Sequence, residues 1–418
     1  MAGHLDGGRR DFLLKAGLGG GAMALAPYMA LAQQRPTGTA ANDFRIARVT
    51  AYSLQFEGTF EYGGLKKPSR DSATYVEVET RGGLVGHGIT TIADPGAVAA
   101  LVNLVAGPAI IGDDALRHEA IWDKLYWSLS PRGQTGFAGH VMSAIDIALW
   151  DIKGKAYGTP IASLLGGARA QVPVYVTFGP AFLDQNELVA VAKDMHSRGF
   201  NHLKMVVGSN ALPRRDTRPM DQVVREDTAR VAAVRAAVGP DAHIYVDGNC
   251  SFDLPNAERL TRNLMALGLS FFEEPITQND VRLMADLRRR TGVTLAAGQN
   301  ETLAYRFRDM MLADAVDYVQ PNVMIGGGYT GAVKIAGMAA GFNVAIANGG
   351  AGALQNMHMH AGLANGGFCE WHLPWMGLNR RLYKNMPEPA KGLLAVPPGP
   401  GLGFEVDKDG LMEMRVRG

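Results

Sequence analysis

Apolar positions along the chain follow two successive rhythms. Residues 43–90 alternate apolar and polar, as in RIARVTAYSLQF and ATYVEVETRGGLVGHG, which predicts an antiparallel meander with a polar loop over 57–72. From about 95 to 165 the spacing turns helical. Met142, Ile145, Ile147, Ala148 and Trp150 share a broad apolar face, and Gly158-Thr159-Pro160 marks its stop. Strands followed by helices predict an α+β first domain over 43–168, completed by the segment 395–418. After Gln171 short apolar runs recur at 172–178, 202–207, 243–247, 269–273, 293–298, 316–320, 343–347 and about 367–371, with helical stretches such as MDQVVREDTARVAAVRAAVG between them. Runs that do not alternate indicate parallel strands buried on both faces. The expectation is a parallel α/β barrel over 169–394, with a doubly wound open sheet as the alternative.

Composition narrows the partners. With 41 basic and 40 acidic residues there is no global field to attract nucleic acid or an anionic membrane, so a small-molecule substrate is expected. The 52 glycines punctuate many short loops rather than forming a low-complexity block. At the N-terminus, Arg9-Arg10, a glycine-broken apolar stretch and Ala30-Leu31-Ala32 fit a twin-arginine export signal over 1–32, and hence a periplasmic mature protein. A membrane anchor is the alternative. Cys250 and Cys369 fall on different predicted strands and are expected as free thiols.

In a parallel barrel the working groups project from the C-terminal ends of the strands. Those positions hold Lys204, Asp247, Asn249, Glu273, Glu274, Gln299, Asn322, Asn348 and Glu370. Asp247, Glu273 and Gln299 recur every 26 residues, one strand-helix unit each, so three oxygen donors converge on one point. That set suits a hard divalent cation, Mg²⁺ or Mn²⁺, with positions left for substrate. Solvated carboxylates capping the following helices are the bland alternative.

The strings AIDIALWDIKGKAYGTPIASLLGG, GFNHLKMVVG, VDGN, FFEEP, VQPNVMIGGG and VPPGPGLGFEVD together resemble the enolase superfamily, in its branch similar to mandelate racemase and the acid-sugar dehydratases. The likeness runs from about residue 44 to 410. It implies a (β/α)₇β TIM-like barrel under an α+β capping domain, Mg²⁺-assisted removal of a proton next to a carboxylate, and an even-numbered homo-oligomer. It also implies that Asp247 and Glu273 are metal ligands and that Gln299 stands where the family has a third, a glutamate. Lys204 matches the first lysine of a Lys-x-Lys pair, whereas Val206 replaces the proton-abstracting one. Asn322 and Asn348 occupy the places of an Asp-His dyad. Glu370 matches the acidic group that hydrogen-bonds the enediolate oxygen.

These departures shape the expected chemistry. Gln299 keeps a coordinating oxygen but loses a charge, so the metal should be held more weakly, with Glu301 as a substitute ligand. No asparagine accepts a proton at useful pH, so racemisation from two faces is disfavoured. A lyase is expected, with Lys204 as base, its pKa depressed by burial and metal, and Glu370 as acid or hydrogen-bond partner. Asn249, Asn322, Asn348, His202, His140 and Tyr62 are candidate substrate contacts, with Arg70 and His87 on cap segments and specificity placed in 57–72 and 89–96. His202 also reads as a barrel-core histidine, and MHMH at 357–360 as core or surface rather than a metal tract. Gly326-x-Gly328-x-x-Gly331 fits a dinucleotide fingerprint but lacks its later acidic residue, so close loop packing is preferred. The rivals are an isomerase or cycloisomerase of the same family, and a ligand-binding protein that has lost catalysis.

Overall fold

A computed structural model describes residues 43–133, 136–180, 182–208 and 218–416. The proposed export signal lies outside them. Strands β1 (Ile46–Phe60), β2 (Lys67–Thr80) and β3 (Val85–Thr91) form an antiparallel sheet in that order. The predicted loop over 57–72 is much shorter than expected. Pairing of β1 with β2 continues to Phe60 and Lys67, leaving a tip of 61–66, because cross-strand partners satisfy polar residues as well as apolar ones.

The helix Phe137–Tyr157 lies on this sheet and ends at Gly158 in a left-handed turn, at the predicted stop. It approaches β3 closely because Gly86 and Gly88 have no side chain; a Cβ there would collide with the carbonyl oxygens of Ala148 and Ala144. Its other face meets the turn 326–331. Ser143 Oγ accepts from the Gly327 and Gly328 amides at 2.9 and 3.2 Å, and Asp146 accepts from Thr330 N at 3.0 Å and Thr330 Oγ1 at 2.6 Å. The glycine motif is therefore a packing device: a Cβ on Gly328 would strike Asp146, and one on Gly331 the oxygen of Gly326.

Parallel strands β4 (Gln171–Gly179), β5 (His202–Val206), β6 (His243–Asp247), β7 (Leu269–Glu273), β8 (Leu295–Ala297), β9 (Tyr318–Val319), β10 (Ala345–Ile346) and β11 (Cys369–His372) run in the order β10-β9-β8-β7-β6-β5-β4-β11. A parallel bridge between Ala347 and Phe368 joins the two end strands, so the sheet curls shut and the open-sheet alternative fails. Tyr175, Tyr245, Phe271, Ala296 and Ala347 pack together inside it. The chain then pairs Leu393–Ala395 with the start of β4 and returns to β1, where Val416 N donates to Ser53 O at 2.9 Å. Cys250 and Cys369 are not joined in a disulfide. Among the described residues no helix is long and apolar enough to cross a membrane.

Candidate active site

Because strand direction sends the last residue of each run to one rim, Lys204, Asp247, Glu273 and Glu370 meet there. The Lys204 ammonium, wholly buried, lies 2.6 Å from Glu273 Oε2, 2.9 Å from Glu370 Oε1 and 3.6 Å from Asp247 Oδ2. It also stands 5.0 Å from the centre of the Tyr175 ring. Burial opposes its charge, but Glu273, Glu370, Tyr175 and Asp247 together hold it well above the usual lysine range. The expectation of a depressed pKa is thus reversed: Lys204 is the counter-ion of the floor.

Glu370 is equally committed. Oε1 accepts from Thr177 Oγ1 and faces Lys204, and Oε2 accepts from Ala351 N at 2.8 Å. Burial would raise its pKa, yet Lys204, His372 and the Thr177 bond hold it below the ordinary value. It is a fixed acceptor rather than an acid.

Gln299 has its amide nitrogen 3.1 Å from Asp247 Oδ2 and 3.1 Å from Glu274 Oε2. Glu274, wholly buried, also accepts from Asn279 Nδ2 at 2.8 Å and Asn300 Nδ2 at 2.7 Å. A glutamate at 299 would place an acceptor against two carboxylates, which gives the glutamine a physical reason. Glu301 pairs with Arg306 at 3.2 Å and does not line the cavity, so it is no substitute ligand.

Above this floor opens a cavity of about 350 Å³, lined by Asp247, Asn249, Gln299, Glu370, Val206 and, from the cap, Arg70, Asp71, Ser72, Thr91 and Ile92. Asn249 is where it was expected. Tyr62 is not: it is buried beside Phe60, and its hydroxyl accepts from Arg380 at 3.2 Å. His140 is buried within its helix and bonds Thr90 Oγ1 at 2.6 Å. His202, half-buried at the start of β5, bonds Tyr245 at 2.8 Å and stacks on the exposed His243, at the end of the barrel away from the cavity.

Asn322 and Asn348 are displaced from the expected role as well. Asn322 Nδ2 donates to the carbonyls of Gly349, Gly350 and Ala351 at 2.7, 3.1 and 3.1 Å. Asn348 Oδ1 accepts from Glu370 N at 3.0 Å and faces His360 Nε2 at 3.2 Å. Each is sealed in the protein, shaping the rim without reaching the cavity. His87 faces Tyr75 and lies off the cavity, whereas Arg70 does line it. His358 and His360 of MHMH are core residues.

Among the lining residues that the sequence reading did not single out are two ionisable ones, Asp71 on β2 and His372 on β11. The signal for His372 was available, since alternation along a strand puts it on the face of Glu370. Asp71 stood in the segment 57–72 to which specificity was assigned, but a stretch read as loop gives no facing by which to single out one residue.

The floor fits a divalent cation. Asp247, Glu273, Glu274 and Glu370 bury four carboxylates against one ammonium. Glu273 Oε1 is buried with no hydrogen-bond partner, and burial together with Asp247 pushes this carboxyl's pKa well up. That oxygen and Gln299 Oε1 lie 2.5 and 3.0 Å from where a Cβ on Gly349 would sit, a cradle only glycine leaves open. Two converging acceptors with no donor between them suit a hard cation.

Residues 66–166 match the mandelate racemase / muconate lactonizing enzyme N-terminal domain, and 187–410 match the enolase C-terminal domain-like family. Arabinonate dehydratase from Saccharolobus solfataricus is 31% identical over 384 residues, covering 88% of this chain and 98% of that protein. D-galactarolactone cycloisomerase from Agrobacterium fabrum is 31% identical over 394 residues, covering 89% and 99%. A racemase from Streptomyces coelicolor solved with bound magnesium superposes with a TM-score of 0.78 at 28% identity, over 89% of this chain and all of that one.

Proposed function

Since the chain belongs to the enolase superfamily, in its mandelate racemase and muconate lactonizing enzyme branch, we propose that it is a metal-assisted lyase that dehydrates a small polyhydroxylated carboxylic acid, an aldonate or aldarate. One observation carries this reading. The ionisable rim lies on one side of the barrel, while the opposite positions hold asparagines bound to backbone, so proton removal from both faces of a carbon has no second base.

Asp247 and Glu273 would hold the cation through carboxylates and Gln299 through its amide oxygen. With one charge fewer than three carboxylates, the hold is weakened. The bound cation supplies stabilisation of the negative charge that develops on the substrate carboxylate as its α-proton leaves. Lys204 holds Glu273 and Glu370 in place beneath the substrate. Asn249 and Asn300 offer amides to hydroxyls, and Arg70 offers a guanidinium from the cap. A second reading, cycloisomerisation of a cyclic sugar acid, draws on Ile92 and Trp375, which give the cavity an apolar wall suited to a ring face. The twin arginine and Ala-Leu-Ala pattern of residues 1–32 supports a periplasmic setting for this reaction.

The test is to load the protein with Mg²⁺, offer arabinonate, galactonate, rhamnonate and galactarate, and measure 2-keto acid formation. Turnover abolished by Asp247→Ala, with calorimetric loss of Mg²⁺ binding, is the expected result. Binding of these acids without turnover would sink the lyase reading in favour of a binding protein.

A further inference from the structure

The lining of the cavity contains three carboxylates and one imidazole: Asp71, Asp247, Glu370 and His372. Two are already engaged. Asp247 accepts from Gln299 Nε2 and from Asn249 N at 2.9 Å, with Lys204 beside it. Glu370 is taken up by Lys204, Thr177 and Ala351 N. Asp71 has only Ser69 Oγ at a long 3.4 Å. His372 Nδ1 is buried with no partner. A buried ring nitrogen left unpaired costs stability with no structural return. The two groups come from different walls, Asp71 from cap strand β2 and His372 from the end of barrel strand β11.

We propose that His372 and Asp71 are the proton-transfer pair of this site, His372 taking the α-proton and Asp71 protonating the departing hydroxyl. This rests on the lyase reading above and replaces the bases missing at Val206, Asn322 and Asn348. His372 accepts the proton from Cα, and the C–H electron pair becomes the C=C bond of an enol. The Cβ–O bond breaks with its electrons, the oxygen takes the Asp71 proton, and water leaves. The enol tautomerises to the 2-keto acid, while the imidazolium returns its proton to solvent and Asp71 regains one. Supporting chemistry lies in the surroundings. Burial raises the Asp71 carboxyl to about 6. Burial lowers His372, with Glu370 and Asp247 acting against it and Lys204 with it, so the ring is neutral at pH 7.

The experiment uses the Mg²⁺-loaded protein in D₂O with the same four acids, following keto-acid formation and deuterium entry at Cα together. His372→Asn and His372→Gln should lower kcat about 10²–10⁴-fold with KM within a few-fold, and should lose exchange. Asp71→Asn should lose keto-acid formation by a similar factor while keeping exchange. Unchanged thermal melting and Mg²⁺ binding separate these effects from misfolding. Exchange at wild-type rate in both His372 variants would overturn the pair. Wild-type exchange without keto acid would sink the lyase reading and leave His372 as base. Keto acid without exchange means that elimination outruns reprotonation, and an unchanged kcat in the His372 variants then overturns the pair; neither exchange nor keto acid with any acid would overturn both readings.

Discussion

Two arcs of the same barrel rim use equivalent strand ends in opposite ways. At the ends of β6 and β7 and just after β8, Asp247, Glu273 and Gln299 turn toward the cavity or its floor, the two carboxylates crowding charge around Lys204. At the ends of β9 and β10, Asn322 and Asn348 turn into the protein and tie down the loop 349–351 and the backbone of Glu370. Rim position is therefore not a role. What separates the arcs is which partners are satisfied: one arc leaves Glu273 Oε1 buried without a hydrogen-bond partner, and the other spends its polar atoms on backbone.

Removing the centre of the charged arc should have the largest effect. Lys204→Met leaves Glu273 and Glu370 without their counter-ion, and a loss of about 3–5 kcal/mol is expected in denaturant unfolding without metal. A loss below about 1 kcal/mol would show that the ammonium does not hold the floor together. The neutral arc breaks differently. Asn322→Asp replaces a donor to three carbonyls with an acceptor, so about 2–3 kcal/mol of stability should go. Mg²⁺ affinity should stay within threefold, because Asn322 is not a ligand; a larger change would mean the two arcs are coupled.

The smallest effect concerns the histidine behind Asn348. Burial lowers His360 to about 3, below the unfolded value of 6.5, so between these limits the unfolded chain binds the extra proton. This contribution is whole above pH 6.5 and is lost as pH falls toward 3, at about 1 kcal/mol per pH unit. His360→Asn should flatten the stability curve by that slope between pH 6.5 and 4. Parallel curves for variant and wild type would show that the folded protein already carries the proton.

The barrel was legible because strands buried on both faces must be continuous apolar runs, and the eight predicted runs coincide with β4 to β11. The glycines of 326–331 were read correctly as packing residues for a similar reason: no later acidic residue supported the nucleotide alternative. The long hairpin was misjudged because strand pairing satisfies residues such as Glu57 and Arg70, which look like loop in isolation. Spacing also brought Asp247, Glu273 and Gln299 together, since one strand-helix unit advances the chain by one stave.

The sequence by itself determined the fold and the ring of positions from which chemistry could come, because periodicity and strand direction are local properties of the chain. Tertiary structure alone decided how those positions are employed. Lys204 became a counter-ion, Asn322 and Asn348 became braces, and His140, His202 and Tyr62 were claimed by partners away from the cavity, while Asp71 and His372 came to line it from different walls. A side chain's partners lie many residues away, and hydrogen-bonding and charge balance are settled only when those distant segments close on one another.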